Sequence, residues 1–395
     1  MSYNCNINKL KTINQHIMNE ITDEIKALIE SSTIIDSLSH GPILWTEDLV
    51  KIVDEMLSKE MDPWRIVQDI ILVFAKKIVK DNNFFEKYIE AWNKSGVSCV
   101  SWTVGPIYEK PYTFDGILHN FAFLTYMIDN RNEFFHKILK AKDIDYAFEN
   151  KKKGIIINLQ NLEPIGDNLE MLDLFYMMGI RIAQLTLNTK NLIGTGCLAR
   201  RDRGLTDFGS DVIARMEKLG MVVDISHCGP QTSLDAIEHS NNPLMATHTS
   251  AKNLYNHPRA KDDNLLHAIA EKGGYVGVYT IQGFISNKLE PTIDDWIDHI
   301  DYIVNLIGID HVGVGTDYYG QAIPHQLAVI LDEFLSKLGM GPEHGGGFQY
   351  KMKNFRDYEE FPNLIEGLKN RGYSNQEIKK ITSENFLRVF RKVVG

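Results

Sequence analysis

Met221-Val-Val-Asp-Ile-Ser-His227, Leu244-Met-Ala-Thr-His248 and Val312-Gly-Val-Gly-Thr-Asp317 share one plan: a short apolar run that breaks into a histidine or an aspartate. Continuous runs of this length, without polar alternation, are the mark of strands buried on both faces of a parallel sheet. Working outward, similar runs occur at Thr33–Leu38, Val97–Trp102, Gly154–Leu159, Ile180–Leu187 and Tyr275–Tyr279, which makes eight. The intervals carry helix-period stretches such as Leu169–Met178, Asp207–Leu219, Asp262–Ala270 and Ile293–Ile307. Eight strand–helix units can close on themselves, so the pattern predicts an α/β fold of the (β/α)8 TIM-barrel type.

Two segments stand outside this rhythm. Ile13, Ile17, Ile21, Ile25 and Ile29 recur at four-residue steps, which predicts an amphipathic helical extension over residues 1–32 ahead of a barrel at 33–395. Residues 322–357, with the glycine-rich Gly339–Gly347, follow the last strand and read as a rim or lid loop over the barrel mouth. Two closing helices follow, near Phe361–Asn370 and Asn375–Val393.

The 395 residues include 44% hydrophobic and 24% charged positions and carry a formal net charge of −10. That composition supports a sizeable core, and the acidic balance argues against a nucleic-acid partner. No run approaches the roughly 20 apolar residues of a membrane span, and Met1–Lys11 lacks the apolar centre of a signal peptide. A cytosolic protein is expected. The four cysteines, at 5, 99, 197 and 228, are widely spaced and read as reduced thiols.

In a barrel of this type, reactive groups sit just beyond the carboxyl ends of the strands. The polar residues there are His40, Gln160 with Asn161, Asn188, His227, His248 and Asp317. Taken singly, each histidine is a loop hydrogen-bonder. His227 and His248 end consecutive strands, however, and read as ligands of a divalent metal, with Asp317 either a third ligand or a general base toward metal-bound water. Arg259, in Asn256-His-Pro-Arg, is either the holder of a substrate carboxylate or a surface arginine paired with Asp262 or Asp263. His344-Gly-Gly-Gly has no accompanying Gly-x-Ser-x-Gly elbow, and Gly313-Val-Gly lacks the third glycine of a dinucleotide fingerprint. Cys228 points away from its neighbour His227, which argues against a thiolate pair.

These motifs, with Gly179-Ile-Arg-Ile-Ala-Gln-Leu-Thr-Leu-Asn, Gly204-Leu-Thr-Asp-Phe-Gly, Thr247-His-Thr-Ser-Ala and Glu384-Asn-Phe-Leu-Arg-Val-Phe, resemble the membrane (renal) dipeptidase family from about Ile34 to Val393. The resemblance implies a zinc dipeptidase. His227 and His248 match two histidine ligands, Asp317 an aspartate beside the second metal, and Arg259 the arginine that receives the substrate carboxylate. A homodimer and a small-molecule substrate are implied as well, with Asn188 facing that substrate.

Three positions depart from the family pattern. Leu38 and His40 stand where the family has His-x-Asp, Gln160 replaces the bridging glutamate, and Leu187 replaces a substrate-facing histidine. A neutral amide cannot screen two adjacent cations, so one zinc is expected, held by His227 and His248 and completed by Asp317, Gln160 or His40. Two readings stand at this point. One is a metal-dependent hydrolase of a dipeptide or dipeptide-like amide. The other is a non-peptidase barrel, a lyase, isomerase or small-ligand binder with a degenerate site.

Overall fold

The computed structural model describes residues 21–105, 114–288, 290–318 and 352–395, with scattered positions between 327 and 340. Nine parallel strands make one sheet: β1 (Ile35–Asp36), β2 (Cys99–Thr103), β3 (Phe135–Lys137), β4 (Lys153–Gln160), β5 (Ile180–Gln184), β6 (Val222–Asp224), β7 (Met245–Thr249), β8 (Tyr275–Val278) and β9 (Val312–Val314). Hydrogen-bonded neighbours run β1-β2-β4-β5-β6-β7-β8-β9. The ring closes where Ser37 N–H donates to the Val314 carbonyl at 2.9 Å and Asp317 N–H to the Leu38 carbonyl at 2.9 Å. Ser39 and Tyr318 add a parallel bridge across the same seam. All eight expected strands are present, and the fold is a (β/α)8 barrel of TIM type.

β3 was not expected. It pairs with Lys153–Ile155 at the start of β4, while β5 takes β4 from Ile157 onward. Phe135-His-Lys is too short and too polar to register as an apolar run. The helix Asp23–Glu30 buries Ile25 and Leu28 against Pro362–Asn370 and is the described part of the N-terminal extension; residues 1–20 lie outside the described residues. Most of the rim segment 322–357 also lies outside them. The C-terminal helix Asn385–Val394 packs Phe386, Val389 and Phe390 against Ile35, Ile156, Ile182, Val222 and Met245, which closes the amino end of the barrel with an apolar plug.

The barrel axis tolerates almost no extra volume. A Cβ on Gly315 would lie 1.9 Å from the Thr247 carbonyl oxygen, and one on Gly277 would lie 2.1 Å from it. The missing side chains admit Ser37, whose hydroxyl is 2.6 Å from that oxygen and 2.8 Å from the Val314 carbonyl. Among the described residues, no helix is long and apolar enough to cross a membrane, and Cys99, Cys197 and Cys228 are free thiols.

Candidate metal centre

The carboxyl ends of β4 to β7 bring Gln160, Asn188, His227 and His248 together. Three residues bordering this mouth, Asn161, Asn188 and Asp317, have positive φ values of 96°, 53° and 52°. Non-glycine residues in this region cost energy and cluster at functional sites. The loop after β5 is tied onto the loop after β6 by Cys197 N–H donating to the His227 carbonyl at 2.8 Å.

The protons of the two histidines can be assigned by following their partners. His227 Nδ1 lies 2.6 Å from Asn188 Oδ1, an acceptor, so Nδ1 carries the proton. His248 Nδ1 lies 2.9 Å from Thr247 Oγ1. That hydroxyl spends its own proton on Asp224 Oδ2 at 2.6 Å, so it accepts from His248 Nδ1. Both Nε2 atoms therefore present lone pairs, and they face each other at 2.9 Å. Two bare lone pairs at that separation repel unless an electrophile joins them. Gln160 Nε2 is 3.3 Å from His248 Nε2, and a half-turn of the amide would offer its oxygen instead.

Burial, the Arg259 charge and, for His227, the neighbouring His248 ring hold both imidazoles well below their ordinary pKa, so a shared proton is disfavoured. The chemistry of this donor set fits one divalent cation: two convergent, neutral imidazoles whose outer nitrogens are fixed by hydrogen bonds. Among the described residues, no three histidine, cysteine or carboxylate side chains are arranged to share an ion.

Asp317 stands at the barrel seam, its N–H donating to the Leu38 carbonyl at 2.9 Å. His40 meets Trp102 edge-on at 5.3 Å and lines a cavity beside β2, and burial pushes its pKa down to about 4. Leu187 is buried, and Asn188 beside it is the side chain that reaches His227.

Arg259 corrects one alternative outright. It is 1% exposed, so it is no surface partner of Asp262 or Asp263. Asp262 caps the helix Asp263–Glu271 through Leu265 N–H, and Asp263 accepts from Tyr302 and Asn253. The Arg259 guanidinium donates to the Ser226 carbonyl and, at 3.3 Å, to the His248 carbonyl, bracing both histidine loops; its Nε–H has no partner.

Sequence reasoning missed the groups beneath the histidines. Asp224 is fully buried and accepts Ser226 N–H at 2.9 Å, Ser226 O–H at 2.5 Å, Thr247 N–H at 3.2 Å and Thr247 O–H. Burial raises its pKa while those four donors oppose the rise. Lys261, also buried, donates to the carbonyls of Ile225 at 2.8 Å and Cys228 at 2.9 Å, and burial pushes it down to about 8. Across the barrel Asp36 repeats the Asp224 arrangement, accepting Thr316 N–H at 2.8 Å and Thr316 O–H at 2.5 Å. In both cases the clamped threonine immediately precedes a mouth residue, His248 or Asp317. The signal was available: each aspartate sits at the end of an apolar run, where a charge needs a reason to be buried.

A model of the membrane dipeptidase family, peptidase family M19, matches residues 22–332 and 335–394. The chain belongs to this family. An uncharacterized dipeptidase of Schizosaccharomyces pombe is 32% identical over 252 residues, 63% of this chain and 55% of that protein. The dipeptidase tcpJ of Claviceps purpurea is 27% identical over 271 residues, 68% of this chain and 56% of that protein. The chain thus matches little more than half the length of these relatives. An amidohydrolase from Pseudomonas aeruginosa superposes with a TM-score of 0.74 at 28% identity, covering 94% of this chain and 99% of its own. A Rhodobacter sphaeroides metallo peptidase, solved with a phosphinate mimic of the dipeptide L-Ala-D-Ala, shares the fold at a TM-score of 0.67 and 17% identity, covering 92% of this chain and 99% of its own.

Proposed function

We propose that this family member is a one-metal hydrolase of a dipeptide or dipeptide-like amide. The observation that carries the reading is the pair of deprotonated Nε2 atoms converging at 2.9 Å between β6 and β7. His227 and His248 would hold the ion, with the Gln160 amide oxygen as a neutral third donor. Zinc suits a site whose firm donors are imidazoles. When bound, it supplies Lewis acidity to a carbonyl and lowers the pKa of water.

The protein's own groups do the rest. Asn188 and Thr247 fix the histidine tautomers, and Asp317 takes a proton from water at the barrel mouth. Arg259, with an unpartnered Nε–H and no described acidic residue in an ion pair with it, attracts a substrate carboxylate. Free thiols at the three described cysteines are in keeping with a cytosolic setting.

Elemental analysis of protein purified without chelators, together with amine release from a dipeptide panel, tests the proposal. The expected result is about one zinc per chain, with metal and turnover both lost in His248→Ala. Protein that takes up no divalent ion when zinc is supplied overturns it. A second reading, a barrel that binds a small ligand without hydrolysing peptides, is favoured by the lack of a three-ligand group among the described residues. Metal-dependent turnover of simple dipeptides would exclude it.

A further inference from the structure

His227 is the third residue of a tight turn over Ile225–Cys228, closed by Cys228 N–H donating to the Ile225 carbonyl at 3.1 Å. The Lys261 ammonium grips both ends of that turn, donating to the Ile225 carbonyl at 2.8 Å and to the Cys228 carbonyl at 2.9 Å. Its third proton reaches Ser233 Oγ, at 3.3 Å, on the helix Pro230–His239. An ammonium has three donors, so all are spent on neutral oxygens and none is left for a substrate. The main chain of Lys261 is fastened to the neighbouring strand end. Its N–H donates to the Ser250 carbonyl at 2.9 Å, its carbonyl accepts Lys252 N–H at 2.9 Å, and it forms a parallel bridge with Ala251. These residues directly follow β7, which carries His248. One residue therefore ties the end of the His248 strand to the turn that presents His227.

The other two carbonyls of the turn are held as well, Ser226 by Arg259 and His227 by Cys197 N–H. A buried cation surrounded by neutral oxygens is costly to keep, and the turn is already closed without it by Cys228 N–H. What the ammonium adds is the link between the two histidine-bearing segments. From this arrangement we infer that Lys261 is a positioning residue that sets the approach of His227 Nε2 to His248 Nε2, and with it the affinity of the pair for a divalent cation. The inference rests on the metal reading above, but the histidine geometry it describes exists in the metal-free protein, so the two can fail separately.

The test uses the full chain with Zn²⁺ as the probe and compares Lys261→Met with Lys153→Met. Lys153 is the control: it too is buried and donates to a carbonyl, that of Val97 at 3.0 Å, but it opens β4 at the end opposite Gln160. Lys261→Met should bind zinc roughly 10–100-fold more weakly than the parent, as the loss of an outer partner does, while Lys153→Met shows no comparable loss. With Co²⁺ in place of zinc, the visible absorption spectrum should change in Lys261→Met alone, a signature that a general loss of stability does not produce. In the metal-free protein, the His227 Nδ1 proton held by Asn188 should shift or exchange faster with water in Lys261→Met and stay as in the parent in Lys153→Met. Lys261→Gln, neutral and nearly as long, takes the place of the methionine variant if that chain does not fold. A parent that binds no zinc, with the His227 signal perturbed by the Lys261 substitution alone, removes the metal reading and keeps the positioning role. Zinc affinity, cobalt spectrum and His227 signal that match the parent in the Lys261 variants, or that change equally in Lys153→Met, overturn the inference.

Discussion

Replacing Asp224 by asparagine exchanges one carboxylate oxygen for an amide nitrogen and should disable the metal centre through a proton. The two carboxylate oxygens are not equivalent: Oδ1 accepts two backbone N–H groups and the Ser226 hydroxyl, while Oδ2 accepts the Thr247 hydroxyl alone. The asparagine NH2 cannot face two backbone donors, so it takes the Oδ2 position and points at Thr247 Oγ1. Thr247 must then accept from the new amide and turn its own proton toward His248 Nδ1. That imidazole becomes the Nε2–H tautomer, which has no lone pair for a metal. Weakening the buried, charge-assisted network should cost about 1–3 kcal/mol of stability, and outer-partner changes of this kind typically lower metal affinity roughly 10–100-fold. Zinc competition against a chromophoric chelator, urea unfolding and the ¹⁵N shifts of His248 measure the three consequences. Asp36→Asn is the control: it should lose comparable stability, because Asp36 clamps Thr316 in the same way, but keep zinc affinity, because no histidine depends on Thr316. Equal zinc affinity in Asp224→Asn and the parent, with His248 still protonated at Nδ1, would refute the reasoning.

Gly315→Ala places a methyl group 1.9 Å from the Thr247 carbonyl and should destabilise the fold by about 1–3 kcal/mol or more in urea unfolding. Acid should destabilise the protein partly through His40. Its folded pKa, about 4, lies below the ordinary 6.5, so the unfolded chain binds the extra proton and stability is lost as pH falls from about 6.5 to 4. His40→Gln should flatten that part of the stability profile, with a difference of up to about 3 kcal/mol at the acid end. Arg259→Met removes a buried donor to two carbonyls and should cost about 2–4 kcal/mol in the same unfolding assay, with Arg259→Lys recovering only part of it.

The barrel was legible because every barrel strand is buried on both faces, and such strands print themselves as unbroken apolar runs. β3 escaped because three residues pairing with half of β4 need no such run. The histidines were legible for a related reason: a polar residue ending an apolar run is conspicuous, and two on consecutive runs imply neighbourhood. Burial and orientation were not. Nothing in Asn256-His-Pro-Arg announces that Arg259 folds under the histidine loops rather than over the surface, since that depends on the return path of the chain after β7. His40 sits at a strand end like the others, and its edge-on packing against Trp102 could not be read from the letters. Asp36 and Asp224 were visible as letters, but their role as clamps depends on threonines 280 and 23 residues away.

Those clamps suggest how the mouth divides its labour. Asp224 reaches Thr247 and Asp36 reaches Thr316, so the backbones bearing His248 and Asp317 are each pinned by a buried carboxylate from another strand. A carboxylate with four donors is costly to bury and costlier to leave half satisfied, which makes each clamp an all-or-nothing support for the residue that follows it. The β4–β7 sector therefore carries rigid, proton-specified groups. At β1 and β2 the reverse holds: Leu38 offers no donor, His40 is held neutral by burial, and an apolar cavity opens behind Trp102. A second cation there would find the Asp317 carboxylate at the seam with Leu38, but otherwise a neutral imidazole and hydrocarbon.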